Sequence, residues 1–199
     1  SVGTHSTESG AWSNFTRYFK QGFEHILPEG LDHILFVLGL FLLCRAWKPT
    51  LIQVTTFTAA HTVTLALATL GYVSAPGHIV EPIIAASIAV IALENIFRPT
   101  YGKFRIILVF VFGLIHGFGL ATKIQSYEVS PDGLLPNLLA FNVGVEIGQL
   151  LALAVILVGM SYWRRTAGFV RHAYSANVVM MSAGFTLVGM QLTGYFVSQ

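Results

Sequence analysis

Residues 79–97 read IVEPIIAASIAVIALENIF, an almost unbroken apolar run whose strongly polar positions, Glu81, Glu94 and Asn95, lie toward its two ends. As a helix rising about 1.5 Å per residue, it nearly matches the ~30 Å hydrocarbon thickness of a bilayer. Working outward, five further runs follow the same rule, at approximately 31–47, 51–72, 104–122, 134–160 and 176–197. The breaks between them carry turn chemistry: Trp47-Lys48-Pro49, Ala75-Pro76-Gly77, Arg98-Pro99, Pro131-Asp132-Gly133, and Arg164-Arg165 onward. The expected fold is an all-α integral membrane protein, a bundle of about six transmembrane helices forming one domain over residues 11–199. No internal repeat is visible, which disfavours an inverted-repeat transporter.

Ahead of the first run, residues 11–27 place Trp12, Phe15, Phe19, Phe23 and Ile26 at helical spacing, with Arg17 and Lys20 elsewhere on the surface. That pattern predicts an interfacial amphipathic helix on the membrane surface, ended by Pro28 and Gly30. The polar residues 1–10 read as an extracytoplasmic tail or linker. Because the chain opens on Ser1, a trimmed chain with a region or partner upstream is expected.

Composition agrees with lipid as the solvent. Of 199 residues, 54% are hydrophobic and 10% charged, with mean hydropathy +0.70, whereas a soluble domain carries roughly a quarter charged residues. A net charge of +2 without a basic stripe leaves nucleic acid without a footprint. Cys44 is the one cysteine. An internal disulfide and a thiolate-rich metal site are thereby excluded, and a thiol within an apolar run is usually a small hydrophobe.

Orientation follows from the basic residues. Arg45, Lys48, Arg98, Lys103, Arg105, Arg164, Arg165 and Arg171 fall after the first, third and fifth runs, and Arg17, Lys20 and Lys123 on the opposite side. By the positive-inside rule the larger group is cytoplasmic, with both termini extracytoplasmic, as in a bacterial inner membrane.

Ionisable side chains within spans cost roughly 2.5–3.5 kcal/mol each on insertion scales and tend to face the bundle interior. Six stand out: Asp32 and His33 at the start of the first span, His61 within the second, Glu81 opening the third, His116 in the fourth and Glu146 in the fifth. In the deduced orientation they line a cavity from the outer surface to mid-membrane. Asn142, Glu146 and Gln149 share one helix face, and Thr58, His61 and Thr62 another. Gly113 with Gly117, and Gly144 with Gly148, make small-residue stripes for close helix contacts. Imidazoles with carboxylates suit a divalent transition metal such as zinc, nickel, cobalt or iron. His25 is a further candidate ligand.

Each residue also has a plainer reading. Asp32 and Glu81 could serve only as helix-start charges. His61 could hydrogen-bond neighbouring threonines, and His116 with Glu146 could be a structural pair. Glu94 is placed to pair with Arg98 one turn on, and the aromatic residues are expected mostly in lipid-facing or interfacial belts.

The stretches GFEHILPEGLDHILF (22–36), FTAAHTVTLAL (57–67), VEPIIAASIAVIALEN (80–95), FGLIHGFGLA (112–121) and FNVGVEIGQ (141–149) together resemble the HupE/UreJ family of membrane proteins. The likeness spans about residues 22–150 and is closer to a second, less characterised branch, whose members often follow an extracytoplasmic region. It implies a nickel-type permease or a metal-delivery accessory of hydrogenase and urease maturation. His25, Asp32, His33 and His116 match the family's histidine–aspartate motifs.

Three functions are therefore expected to compete. The first is a divalent-metal permease or delivery accessory, taking its ion onto Asp32, His33, His61 and His116, with Glu81 and Glu146 compensating charge. Its weaker inner stations would be Gln53, Glu94, Asn95 and Gln149. The second is an intramembrane zinc-type metalloenzyme, a hydrolase with Glu146 or Asp32 as general base and Asn142 as a substrate or oxyanion donor; three protein ligands would leave a position open to water. The third is a structural membrane subunit whose polar cluster only locks the helices, an oligomer among the arrangements open to it.

Overall fold

The computed structural model describes residues 3–28, 30–43, 46–126 and 134–197. Its elements are all helical: α1 (Gly3–Ile26), α2 (Leu31–Phe41), α3 (Trp47–Thr69), α4 (Gly77–Phe97), α5 (Lys103–Ser126), α6 (Leu134–Arg164) and α7 (Phe169–Val197). Cys44, Arg45 and the Pro131-Asp132-Gly133 turn lie outside the described residues, as does the side chain of Lys123.

Among the described residues, four helices are long and apolar enough to cross a membrane: Trp47–Ala68, Gly77–Phe97, Leu139–Arg164 and Phe169–Val197. The outward side chains of these helices are those of a lipid-facing surface, with Val63, Val90, Val155, Val158, Val179 and Phe185 all exposed.

The helices pair as α1 with α6, α3 with α5, and α4 with α7. Glycine permits the close pairings. A Cβ on Gly117 of α5 would meet the His61 carbonyl oxygen of α3 at 2.6 Å and Thr64 Cβ at 2.8 Å, and one on Gly113 would meet Phe57 and Ala60. Gly22 of α1 abuts the Phe141 backbone of α6, and Gly144 of α6 abuts the Phe19 backbone of α1. The two expected small-residue stripes are thus where helix backbones touch. α1 begins at Gly3, so residues 3–10, expected as a tail, continue the helix, and α1 packs along α6 through Gly22.

At the centre stands α2. It is only 11 residues long, about 16 Å at the helical rise, or half a membrane thickness. The expected span of 31–47 is therefore too long. Leu42 N–H bonds back to Gly39 O in a tightened last turn, and the next helix is under way by Trp47, where 51 was expected. Pro49, read as punctuation, lies within the first turn of α3, where its missing N–H leaves no intrahelical bond unmade. Phe36, Leu40 and Phe41 of α2 are fully buried with Phe57, Ile88, Ile91, Ala92 and Val109 around them. A helix of half length is tolerated in lipid where protein encloses it; Leu42 and Leu43 at its far end are buried, while Leu31 at its start is exposed.

Polar bonds tie the longer helices to this centre. Asn95 of α4 donates from Nδ2 to Gly39 O (2.9 Å) and to Asn177 Oδ1 of α7 (2.7 Å). Arg105 Nε donates to Gln53 Oε1 at 2.7 Å, and Arg164 donates to Thr50 Oγ1 at 3.1 Å and Ala46 O at 3.2 Å. Both arginines, expected in loops, are buried at the base of α3. Glu94 forms no ion pair with Arg98, whose guanidinium lies over the Phe104 ring.

Candidate metal centre

Four histidines from four helices meet at the N-terminus of α2. His33, in the first turn of α2, sits amid the others: ring centroids lie 4.9 Å away for His116 of α5, 5.4 Å for His61 of α3 and 5.8 Å for His25 of α1. All three contacts are edge-to-face. Residues distant along the chain converge here because α2 is central and the α3/α5 pair is held close by Gly113 and Gly117. His61 and His116 are fully buried, His33 and His25 nearly so.

Hydrogen bonds fix two of the rings. Asp32 Oδ1 accepts from the His33 backbone N–H at 2.9 Å and lies 3.0 Å from His33 Nδ1. A carboxylate can only accept, so His33 carries its proton on Nδ1 and turns a lone pair outward at Nε2. His116 Nδ1 likewise donates to Phe112 O at 2.8 Å, the backbone carbonyl one turn earlier. The Nε2 atoms of His33 and His116, and both ring nitrogens of His61, are buried without a hydrogen-bond partner. Such an orphan costs roughly 1–3 kcal/mol. Since neutral His61 keeps a proton on one of its nitrogens, three unpartnered lone pairs and one N–H meet in one spot, which suits a ligand that accepts lone pairs.

On the inner side the cluster rests on aromatic rings. Phe36 lies 4.9 Å and Phe57 5.0 Å from the His116 ring, and Phe57 stacks at 6.0 Å on His61. Phe36, Phe41, Phe57 and Phe169 are fully buried, so these aromatics belong to the core and not to the expected belts. The periodicity of apolar runs gives no sign of which rings turn inward, and the floor was not foreseen.

The rim lies between α3 and α6. Thr62 Oγ1 donates to Glu146 Oε2 at 3.4 Å, and Gln149 Nε2 donates to Thr58 Oγ1 at 2.6 Å. The two polar faces expected from helical spacing therefore face each other. Asn142 Oδ1 is buried without a partner on the same stretch of α6. A small cavity between α2, α3 and α6 is lined by His33, Phe57, Gln149 and apolar side chains including Ile156.

Of the expected site residues, His25, Asp32, His33, His61 and His116 gather at one point. Glu146 and Asn142 stand at the α6 rim, Glu146 half-exposed. Glu81, in the second turn of α4, makes no hydrogen bond or ion pair with the cluster.

Among the described residues, no three His, Cys, Asp or Glu side chains stand in an arrangement that would hold a metal ion as they are placed. The rings pack edge-to-face, whereas coordination at about 2.0–2.1 Å needs their nitrogens to converge. The donor chemistry fits nonetheless: neutral imidazoles with free Nε2 atoms, one oriented by a carboxylate and one by a backbone carbonyl, are the usual supports of a metal-binding histidine.

No curated protein and no solved structure matches the chain. A family model described as HupE / UreJ protein matches residues 3–199, and its reach across the whole bundle, with the membrane-type helices already described, makes this chain an integral membrane protein belonging to the HupE/UreJ family.

Proposed function

We propose that the protein handles a divalent transition-metal ion of the nickel or zinc type, as a permease or a metal-delivery accessory, and that His33, His61 and His116 are its ligands. The observation that carries the reading is the set of buried, partnerless imidazole nitrogens meeting at the head of α2. Asp32 orients His33 and supplies the negative charge a dication needs, and His25 completes the set from α1. Glu146, half-exposed beside Thr62, is the collecting carboxylate at the rim, and Glu81 adds acceptor charge from α4. Membership of a family associated with nickel handling supports the choice of cargo.

The accompanying topology has about six membrane-crossing segments, the one around α2 being helical over only half its length, with α1 lining the bundle. Both termini are placed outside the cytoplasm of a bacterial cell, a reading that the distribution of Lys and Arg supports.

One observation favours a second reading, an intramembrane metallohydrolase. Beneath the histidines, Phe36, Leu40, Phe41 and Phe57 are fully buried, and such an apolar floor suits a resident ion better than one in passage. A bound zinc-type ion would supply Lewis acidity and an activated water there. The chain's own contribution would be Glu146 as the group that takes up a proton and Asn142 as a substrate-orienting amide.

The experiment is metal analysis of protein purified in nanodiscs, paired with uptake by proteoliposomes. Stoichiometric binding lost in His61→Ala, together with transmembrane uptake, supports the permease. Tight binding without uptake favours the resident ion. Failure of the intact protein to bind nickel, zinc or cobalt at micromolar concentration would sink both.

A further inference from the structure

The opposite end of α2 meets a second, separate cavity. It encloses about 260 Å³ and is lined by Leu42 and Leu43 after α2, by Asn95, Ile96 and Pro99 of and after α4, and by the first two turns of α7 from Phe169 to Asn177. About 13 Å of helix separates Leu42 from His33, so it does not belong to the candidate metal centre.

Its buried polar side chains are two asparagines, Asn95 and Asn177. Asn95 spends both N–H bonds of Nδ2, on Gly39 O and on Asn177 Oδ1. Asn177 Nδ2 donates to Ala173 O at 2.8 Å. Backbone carbonyls can only accept, which fixes which end of each amide is nitrogen. What remains is Asn95 Oδ1, an acceptor with no partner on a side chain more than nine-tenths buried. The C-terminal ends of α2 and α4 bring negative partial charge to the cavity, set against the positive N-terminal end of α7 that also borders it. Apart from the exposed Tyr174, the rest of the wall is apolar, including Leu42, Leu43, Ile96, Phe169 and Val170.

We propose that this cavity binds a primary ammonium group carried on a small apolar or lipid body. An ammonium is all donor and positive, matching an acceptor floor at a helix C-terminus, and its carbon chain matches the walls. A bare metal ion would leave those walls without purpose. Two sources carry this chemistry, the headgroup of phosphatidylethanolamine and a free alkylamine.

The test uses the full chain in nanodiscs of phosphatidylcholine and phosphatidylglycerol, with n-butylammonium chloride as probe. Saturating probe raises the unfolding midpoint by a few degrees, as ligand linkage requires. Butyltrimethylammonium, equally charged but without N–H, gives no rise. Val170→Trp alters an exposed residue of the wall, leaves the unliganded midpoint unchanged and weakens the probe about tenfold or more by filling the mouth. Asn95→Leu abolishes the response where it folds. A lipid source shows as phosphatidylethanolamine retained over phosphatidylcholine in native mass spectrometry and as a lost butylammonium response in nanodiscs containing it. A free-amine source leaves that response intact. The proposal is overturned if neither butylammonium nor phosphatidylethanolamine binds, if the quaternary salt acts equally, or if Val170→Trp responds as the parent does. None of these readings touches the histidines, so metal binding stands or falls separately.

Discussion

The imidazole of His33 stands edge-on to that of His116, ring centroids 4.9 Å apart and planes at 80°, and each keeps a buried Nε2 without a partner. Two orphaned acceptors so close together are a standing cost, roughly 1–3 kcal/mol apiece. An apolar side chain of similar shape would remove that cost. The imidazoles are therefore expected to be dispensable for folding and needed for metal. His116→Leu and His61→Leu should insert normally and keep or raise the unfolding midpoint, while metal affinity falls by at least about tenfold. Metal titration beside a thermal melt measures both. Variants that fail to fold would favour the purely structural cluster.

Asp32 Oδ1 accepts from the His33 backbone N–H and faces His33 Nδ1, so in the proposed site the carboxylate acts through the His33 ring. Asp32→Asn keeps an oxygen acceptor but loses the charge that raises the basicity of the ring. Metal affinity should fall about 10–100-fold, the usual consequence of removing such a partner. Competition against a chromophoric chelator gives the constant. An unaltered value would mean the carboxylate does nothing for the ring.

Gly117 tests the geometry without touching a ligand. An alanine Cβ there would lie 2.6 Å from the His61 carbonyl oxygen and 3.0 Å from Leu65 N, so α3 and α5 must part. Gly117→Ala should cost about 1–3 kcal/mol in stability, as overpacking does, and should also impair metal binding, because His61 and His116 ride on the two helices that separate. Gly189→Ala, with open space where the Cβ would be, is the neutral comparison. Equal behaviour of the two variants in melts and metal titrations would argue against a tight α3/α5 seam.

The tether of α2 gives a stability prediction. Asn95 holds Gly39 O and Asn177 at once, so Asn177→Leu leaves an Asn95 N–H buried without an acceptor. A loss of about 1–3 kcal/mol is expected, readable in a denaturation titration. The double change Asn95→Leu with Asn177→Leu should recover part of it, since neither polar group then remains to be satisfied.

Much of the site was legible because helical spacing is local. Asn142, Glu146 and Gln149 fall on one face by arithmetic alone, as do Thr58 and Thr62, and the structure joins the faces through Thr62–Glu146 and Thr58–Gln149. The half length of α2 was not legible, because Leu42 and Leu43 are as apolar as the helix they follow. Nor was the burial of Arg105 and Arg164, since a basic residue at a helix end reads as a loop or interface charge until a neighbour such as Gln53 or Thr50 is seen to receive it. Pairings like Asn95 with Asn177 depend on which helices become neighbours, and no spacing rule within one helix contains that.

Glu146 separates capture of the ion from its retention. It stands half-exposed at the α3/α6 rim, hydrogen-bonded to Thr62, outside the group of four imidazoles. A carboxylate so placed raises the local concentration of a dication through its field, an effect on association that weakens as salt rises. Glu146→Gln preserves the shape and can still accept from Thr62. Stopped-flow metal binding should therefore show a slower on-rate, by several-fold at low ionic strength and less at high, with the off-rate little changed. In a permease, uptake would fall at low metal concentration and recover at saturation. In a hydrolase, turnover would fall with the metal still bound, because the group that takes the proton is gone. A faster off-rate with an unchanged on-rate would instead make Glu146 a ligand, and move the ion toward α6.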